Sequence, residues 1–256
     1  MDEPTSPRGE LRGDQREQEE VLEGLAEAVN HRRWFADIAR PFLGEYPIEV
    51  GSGLGDYVLE WAGQVNRFTC TEAEPGRLVA LKDRMAAEAG NVEVRELHLP
   101  SEESAAHTGL VSYNVLEHIE DHVGALRSMA NLVRPGAALV LIVPAFPIAM
   151  GKVDIATGHV RRYTKKTLGA ALTEAGLQIE QLYYANMLGF FGYFVSAKLL
   201  GMAPRPGPLI TVYDGVVLPF TRWLERHVRA PFGQSVVAVA RRPVAGTPHP
   251  RTPSED

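Results

Sequence analysis

Residues 48–61 read IEVGSGLGDYVLEW, a short apolar run followed by three glycines at alternate positions, Gly51, Gly53 and Gly55, and then a segment with helical spacing. Glycines between a strand and a helix mark a place where something comes close to the backbone, because the missing Cβ permits the approach. A nicotinamide or flavin fingerprint would read G-x-G-x-x-G, and its third glycine position is Asp56 here. The spacing is G-x-G-x-G instead. An acidic side chain just inside the helix makes a pyrophosphate less welcome than a ligand carrying an ammonium group.

Outward from this loop the chain alternates. PIEV reads as a strand, GLGDYVLEWAGQ as a helix, RFTCTE as a second strand and PGRLVALKDRMAAEAG as a helix closed by Gly90. VEVREL and GLVSYNV supply further strands, and EDHVGALRSMANLVRPG a helix stopped by Pro-Gly. AALVLIVPA is a nearly continuous apolar run, the pattern of a strand buried on both faces of a parallel sheet. TKKTLGAALTEAG then reads as a helix, IEQLYYAN as a strand and, after a long apolar insertion, GQSVVAVARR as the last strand. Seven strands alternating with helices predict an α/β fold: a doubly wound, mostly parallel sheet with helices on both faces, the last strand antiparallel and a helical insertion before it. Before the first strand, apolar residues from Val21 to Phe42 recur at helical steps until Pro41 breaks the pattern.

With 256 residues and 45% hydrophobic content, the chain can bury a full core, and one domain is expected over 19–243 with the insertion at 187–225. Residues 1–18 and 244–256 are rich in Pro, Ser, Thr and charge and are expected to be disordered tails. A formal charge of −6 gives no pull toward phosphate backbones, so nucleic acid is not an expected partner. The single cysteine, Cys70, excludes an internal disulfide framework and is expected to be a buried thiol in a reducing, cytoplasmic setting. The N-terminus lacks the basic and apolar regions of a signal peptide.

Glu72 ends the second strand in FTCTEAEPGRL, where a carboxylate can accept hydrogen bonds from both hydroxyls of a ribose lying across the sheet. Together, IEVGSGLGDYVLEWA, TEAEPGRL and SYNVLEHIEDHVGALRSMANLVRPGAALVLIVPA resemble the ordered motifs of class I S-adenosylmethionine-dependent methyltransferases, over roughly Trp34 to Arg242. The resemblance implies S-adenosylmethionine as cofactor. It implies that Glu49, Gly51, Ser52, Gly53 and Gly55 line its methionine and ribose portion, that Glu72 holds the ribose hydroxyls and that Asn114 lies under it. Two departures concern the adenine end: ELHLP offers Glu96 or His98 where the family often has an aspartate, and the fourth strand lacks its usual opening aspartate.

Methyl transfer from a sulfonium is an in-line displacement with a neutral leaving group, so alignment does much of the work and one base suffices for a hydroxyl acceptor. His118, after the fourth strand, and His159, after the fifth, both fall at the carboxyl edge of the sheet and are the catalytic candidates. Arg162 and Tyr163, beside His159, are candidates for binding an anionic acceptor. The run N-x-x-E-H plus a later histidine also resembles the E-x-x-E-H metal set of small-RNA 2′-O-methyltransferases and of ubiquinone-pathway O-methyltransferases. The first glutamate is Asn114 here, which weakens the attraction for a hard dication, and no metal is expected. The insertion is read as a hydrophobic lid over the acceptor pocket. Its run MLGFFGYFVSAKLLGM contains Lys198 and falls short of the roughly 20 residues of a membrane span, so no transmembrane segment is expected, while a peripheral membrane contact stays open. The expected activity is methylation of a small, partly hydrophobic acceptor at oxygen, the alternatives being nitrogen or carbon methylation, or a non-catalytic cofactor-binding interaction protein of the same fold. The sequence leaves the acceptor's identity and the oligomeric state open.

Overall fold

Ile48, Glu49 and Val50 form the central strand β1 (Ile48–Val50), and all three are buried. The computed structural model describes residues 28–195 and 207–244; the tails expected at 1–18 and 244–256, apart from Val244, and the middle of the insertion lie outside the described residues. β1 pairs in parallel with β2 (Phe68–Glu72) on one side and β4 (His107–Tyr113) on the other, while β3 (Val92–Glu96) flanks β2. β5 (Val133–Pro144), the apolar run, continues the parallel set beyond β4. β7 (Ser235–Arg241) inserts antiparallel between β5 and β6 (Gln178–Ala185), giving a seven-stranded sheet of order β3-β2-β1-β4-β5-β7-β6. Strand order reverses between β1 and β4, which opens a crevice at their carboxyl ends.

The helices divide between the two faces according to which apolar side chains each strand presents. Ile48, Val50, Leu110, Leu139 and Leu141 face α4 (His122–Leu132) and α6 (Lys165–Glu174), packing against Leu126, Met129, Leu168 and Leu172. On the opposite face, Cys70, Val111, Val140 and Val237 meet α1 (Val29–Ala39), α2 (Asp56–Trp61) and α3 (Pro75–Glu88) through Phe35, Val58, Trp61, Leu81 and Met85. Trp61 is fully buried and donates its indole N–H to Ala36 O at 3.0 Å, fastening α1 to α2. Burial of that size is worth about 3–5 kcal/mol against truncation to alanine. Cys70 is a buried free thiol in β2, as the composition suggested.

Helix starts follow local chemistry. Glu74 caps α3 by accepting from Gly76 and Arg77 N–H, with Pro75 in the first turn; Asp121 caps α4 through Gly124 N–H; Thr164 and Thr167 bond each other's backbone at the start of α6. α1 is capped from outside. Asp214 accepts from both Asn30 and His31 N–H at 2.9 Å. Asp214 belongs to the insertion, where α7 (Met187–Tyr193) leads, beyond residues 196–206, to α8 (Pro208–Val212), a π-helical turn at Tyr213–Val217 and α9 (Leu218–His227). A short helix, α5 (Lys152–Ala156), follows β5 and was not legible in the apolar periodicity.

Candidate active site

The non-glycine residues with positive φ among those described are Asn114, Phe146 and Asn186, each just beyond the carboxyl end of β4, β5 or β6. Backbone held in that region clusters where a binding edge is built. Gly51 and Gly55 also have positive φ, and each packs against protein. A Cβ on Gly51 would collide with the Val115 side chain, and one on Gly55 would lie 2.8 Å from both Leu81 Cδ1 and Met85 Cε. These two glycines therefore serve the fit of the loop against the fold before any ligand is considered. Gly53 is buried, with φ of 56°.

Two carboxylates face this loop with opposite electrostatics. Glu72 is 5% exposed and held at both oxygens: Oε2 accepts from Gly53 N–H at 3.0 Å, and Oε1 from Ala73 and Glu74 N–H at 2.9 Å each, with Arg77 at 3.4 Å. Glu49 is 2% exposed, sits in register with Cys70 and Val111 and shares their apolar side of the sheet. Its Oε2 has no partner, and neither does the buried Oγ of Ser52. Burial drives the Glu49 carboxyl up to about 8. Asp56, which in the sequence argument carries negative charge into the loop, is instead paired with Arg84 at 2.9 Å, so its charge is neutralised within the protein. Glu96, the last residue of β3, and His98, just beyond it, are exposed and pair with each other at 2.9 Å. Asn114 is exposed at the end of β4, its N–H bonded to Ile142 O.

A second cluster is built from the turns after β4 and β5. Tyr163 N–H bonds Pro144 O and Phe146 N–H bonds Tyr163 O, so residues 159–163 run back along the end of β5, and Val160 N–H bonds Glu117 O. This return path brings His159 against His118, their rings edge to face at 4.7 Å between centroids. Asp154, on α5, is the hub. Its Oδ1 lies 2.7 Å from His159 Nδ1 and accepts from Arg162 Nε at 2.7 Å, while Oδ2 accepts from Gly151 N–H at 2.8 Å and Tyr193 hydroxyl at 3.0 Å. Burial acts upward on this carboxyl, but the bonds from His159, Arg162 and Gly151 hold it well below the usual carboxylate range. With Asp154 ionised, His159 Nδ1–H donates and Nε2 is left free, 3.8 Å from Oε1 of Glu117.

Glu117 is completely buried and both its oxygens lack a partner. Burial raises its carboxyl to about 7, opposed by His159. Burial also drops His118 to about 3, leaving it neutral. The ligand-capable atoms of Glu117, His118 and His159 lie within 4.8 Å of one another, a set that could hold a metal ion.

The geometry brings His118 and His159 together but sends their expected substrate-binding neighbours elsewhere. Arg162 is 7% exposed and its guanidinium is spent on Asp154, Ala145 O and the face of the Tyr193 ring. Tyr163 is 1% exposed, its hydroxyl bonded to His122 Nδ1 and Leu116 O. Both are thus part of the wall, because a buried guanidinium and phenol must find partners inside the fold. Arg161 reaches Ile119 O and Glu120 O. Glu117, Arg77 and Tyr193 were missed as site residues. A glutamate amid the apolar residues of VLEHI was a usable signal for the first; Tyr193 had none, since only tertiary packing brings it to Asp154. A cleft lined by Phe42, Thr108, Arg134 and Arg241 opens at the opposite, amino edge of the sheet, away from this chemistry.

Solved structures match this architecture at low sequence identity. The [4+2]-cyclase SpnF shares 18% identity at a TM-score of 0.56, covering 91% of this chain and 99% of that one. Geranyl diphosphate methyltransferase with S-adenosylmethionine shares 11% at 0.58, covering 82% and 85%. The YcgJ protein of Bacillus subtilis shares 11% at 0.54, covering 84% and 99%. At these identities the likeness establishes the fold, and one of the three is named a cyclase. Comparison with curated protein sequences returns no match. The profile of the methyltransferase-domain family does match, over residues 20–182, and with the sheet order and carboxyl-edge loop described above it shows that the chain belongs to the class I S-adenosylmethionine-dependent methyltransferases.

Proposed function

We propose that the chain transfers a methyl group to an oxygen of a small, partly hydrophobic acceptor, with His159 taking the hydroxyl proton. The observation that carries this reading is the Asp154–His159 pair at 2.7 Å, which leaves Nε2 as a free base at the carboxyl edge. Asp154 orients the imidazole and fixes its tautomer, as the acid does in nucleophile-base-acid triads. His118, neutral and edge-on to His159, limits the directions from which an acceptor can approach. Arg162 acts as a positioning residue through Asp154, and Tyr163 through the backbone of the turn. Phe190 of α7, 5.4 Å from Phe146, gives the neighbouring wall an apolar character suited to the organic part of the acceptor.

S-Adenosylmethionine supplies the methyl group on a sulfonium sulfur. The residues present fit it: Oε2 of Glu49 is buried without a geometric hydrogen-bond partner, and the neighbouring Ser52 hydroxyl offsets the burial of this carboxyl only in part, which suits an ammonium or a hydroxyl as its donor. We assign Glu49, Gly51, Ser52, Gly53 and Gly55 to the methionine and ribose portion, Glu72 to the ribose through the lone-pair capacity left on Oε2, and Asn114 to the floor beneath it. Radiolabelled methyl transfer over pools of small hydroxyl compounds, with mass spectrometric location of the new methyl, tests the reading. A product methylated only at nitrogen or carbon would refute the oxygen assignment.

A second reading is favoured by one observation, the convergence of Glu117, His118 and His159 with both Glu117 oxygens unpartnered. A divalent cation there would gather the acceptor oxygen, with Asp154 behind His159 Nδ1 as an outer-shell carboxylate. Chelation would then silence turnover and manganese or magnesium restore it, whereas the base reading predicts indifference to chelator.

A further inference from the structure

We propose that the outer face of α8, the π-helical turn and α9 docks on the surface of an anionic phospholipid bilayer. Leu209, Val212, Val216, Phe220 and Trp223 follow one another at steps of three or four residues, and each is more than half exposed. They form one outward stripe about 21 Å long at 1.5 Å per residue. The inward side of the same helix run is already used: Leu218 and Thr221 are buried, and Asp214 holds the start of α1. A helix that is apolar on its inner face and again on its outer face has a second partner to satisfy.

The charges on this face say which partner. The acidic side chains between 207 and 230 are Asp214 and Glu225, and both are engaged, Asp214 with α1 and Glu225 with the N–H groups of Asn186 and Met187. Arg226 and Arg229 are exposed at the end of the stripe, in a chain whose formal net charge is −6. Outward cations beside an apolar stripe ending in Trp223 suit a negatively charged lipid headgroup layer over acyl chains. A two-fold contact with a second copy would instead bring these cations to a surface that offers them no outward carboxylate from the same helix run. α7 links the face to the active site: Phe191, more than half exposed, lies two residues before Tyr193, whose hydroxyl bonds Asp154.

Vesicle binding tests this without any turnover, so its outcome is independent of the acceptor reading. Trp34 and Trp61 are buried and Trp223 is exposed, so emission from the full-length protein reports on the stripe. Vesicles of phosphatidylglycerol and phosphatidylcholine should shift the emission to the blue and co-sediment the protein, and raised salt should weaken the binding. Pure phosphatidylcholine should bind far less. Phe220→Glu with Trp223→Glu should lower vesicle affinity at least roughly tenfold, read by co-sedimentation, and Arg226→Glu with Arg229→Glu should remove the preference for the anionic lipid. Retained cofactor binding would show that the variants are folded. Absence of wild-type binding to anionic vesicles overturns the proposal, as does a wild-type dimer in sedimentation velocity that Phe220→Glu with Trp223→Glu converts to monomer.

Discussion

The cluster at the glycine loop and the cluster around His159 are built on the same electrostatic plan. Each pairs one buried carboxylate that is hydrogen-bonded at both oxygens, Glu72 or Asp154, with one that has an oxygen without a partner, Glu49 or Glu117. The bonded carboxylates assemble the protein: Glu72 ties the glycine loop to the end of β2, and Asp154 ties α5, His159, Arg162 and α7 together. The other two are held up in pKa by burial, to about 8 and about 7, and await charge or donors from outside. The clusters differ in what stands opposite. Glu49 faces an apolar layer with Tyr57 and Tyr113 nearby, whereas Glu117 faces the free nitrogen of a histidine.

That difference can be broken at several points. The largest expected effect is at His159, where replacement by alanine should lower turnover by roughly 10² to 10⁴ with cofactor affinity nearly unchanged in calorimetry. Glutamine at this position should recover part of the rate if orientation is its main task. Near-normal turnover of His159→Ala would transfer the role to His118. Asp154→Ala removes the hub and leaves Arg162 buried without its partner, an arrangement expected to lower unfolding free energy by about 3–5 kcal/mol in urea titration. A loss below about 1 kcal/mol would mean that the network is looser than its distances.

At the glycine loop, Glu72→Ala should weaken S-adenosylmethionine by on the order of 1–3 kcal/mol and loosen the loop together with it. Unchanged affinity would confine Glu72 to the fold. The smallest effect per step of the measurement is a slope. A carboxyl raised in the folded state and ordinary in the unfolded state contributes stability that is complete below about pH 4.5 and is lost as pH rises toward 8. Glu49 should therefore lower cofactor-free stability by on the order of 1 kcal/mol per pH unit across that window, and Glu49→Gln should flatten the slope. Parallel slopes for the two proteins would show that Glu49 is already ionised. Saturating cofactor should flatten the wild-type slope too, since a ligand donor stabilises the carboxylate.

Much of this was legible in order along the chain. The switch from period two to helical spacing at Gly51–Asp56, repeated through β5, points to a parallel sheet, because parallel strands need a long crossover that a helix ordinarily supplies. His118 and His159 could be placed at the carboxyl edge for the same reason. Arg162 and Tyr163 could not be assigned from their position next to His159. Adjacent residues in an extended segment point to opposite sides, and what each meets depends on α4, α5 and α7. The glycines illustrate the same limit: their loop is visible in the sequence, but the clashes with Val115, Leu81 and Met85 that require Gly51 and Gly55 come from residues distant in the chain.

The sequence by itself determined the alternation of strands and helices, the acidic end of β2 and the chemistry available after β4 and β5, since all of these rest on local periodicity and on residue type. Tertiary structure alone decided which carboxylates are satisfied. Whether Glu72 is bonded and Glu49 is not, and whether Asp154 reaches His159 and Tyr193 at once, depends on partners brought together across several elements. Charge state follows from those partners and from burial, neither of which a linear string of residues specifies.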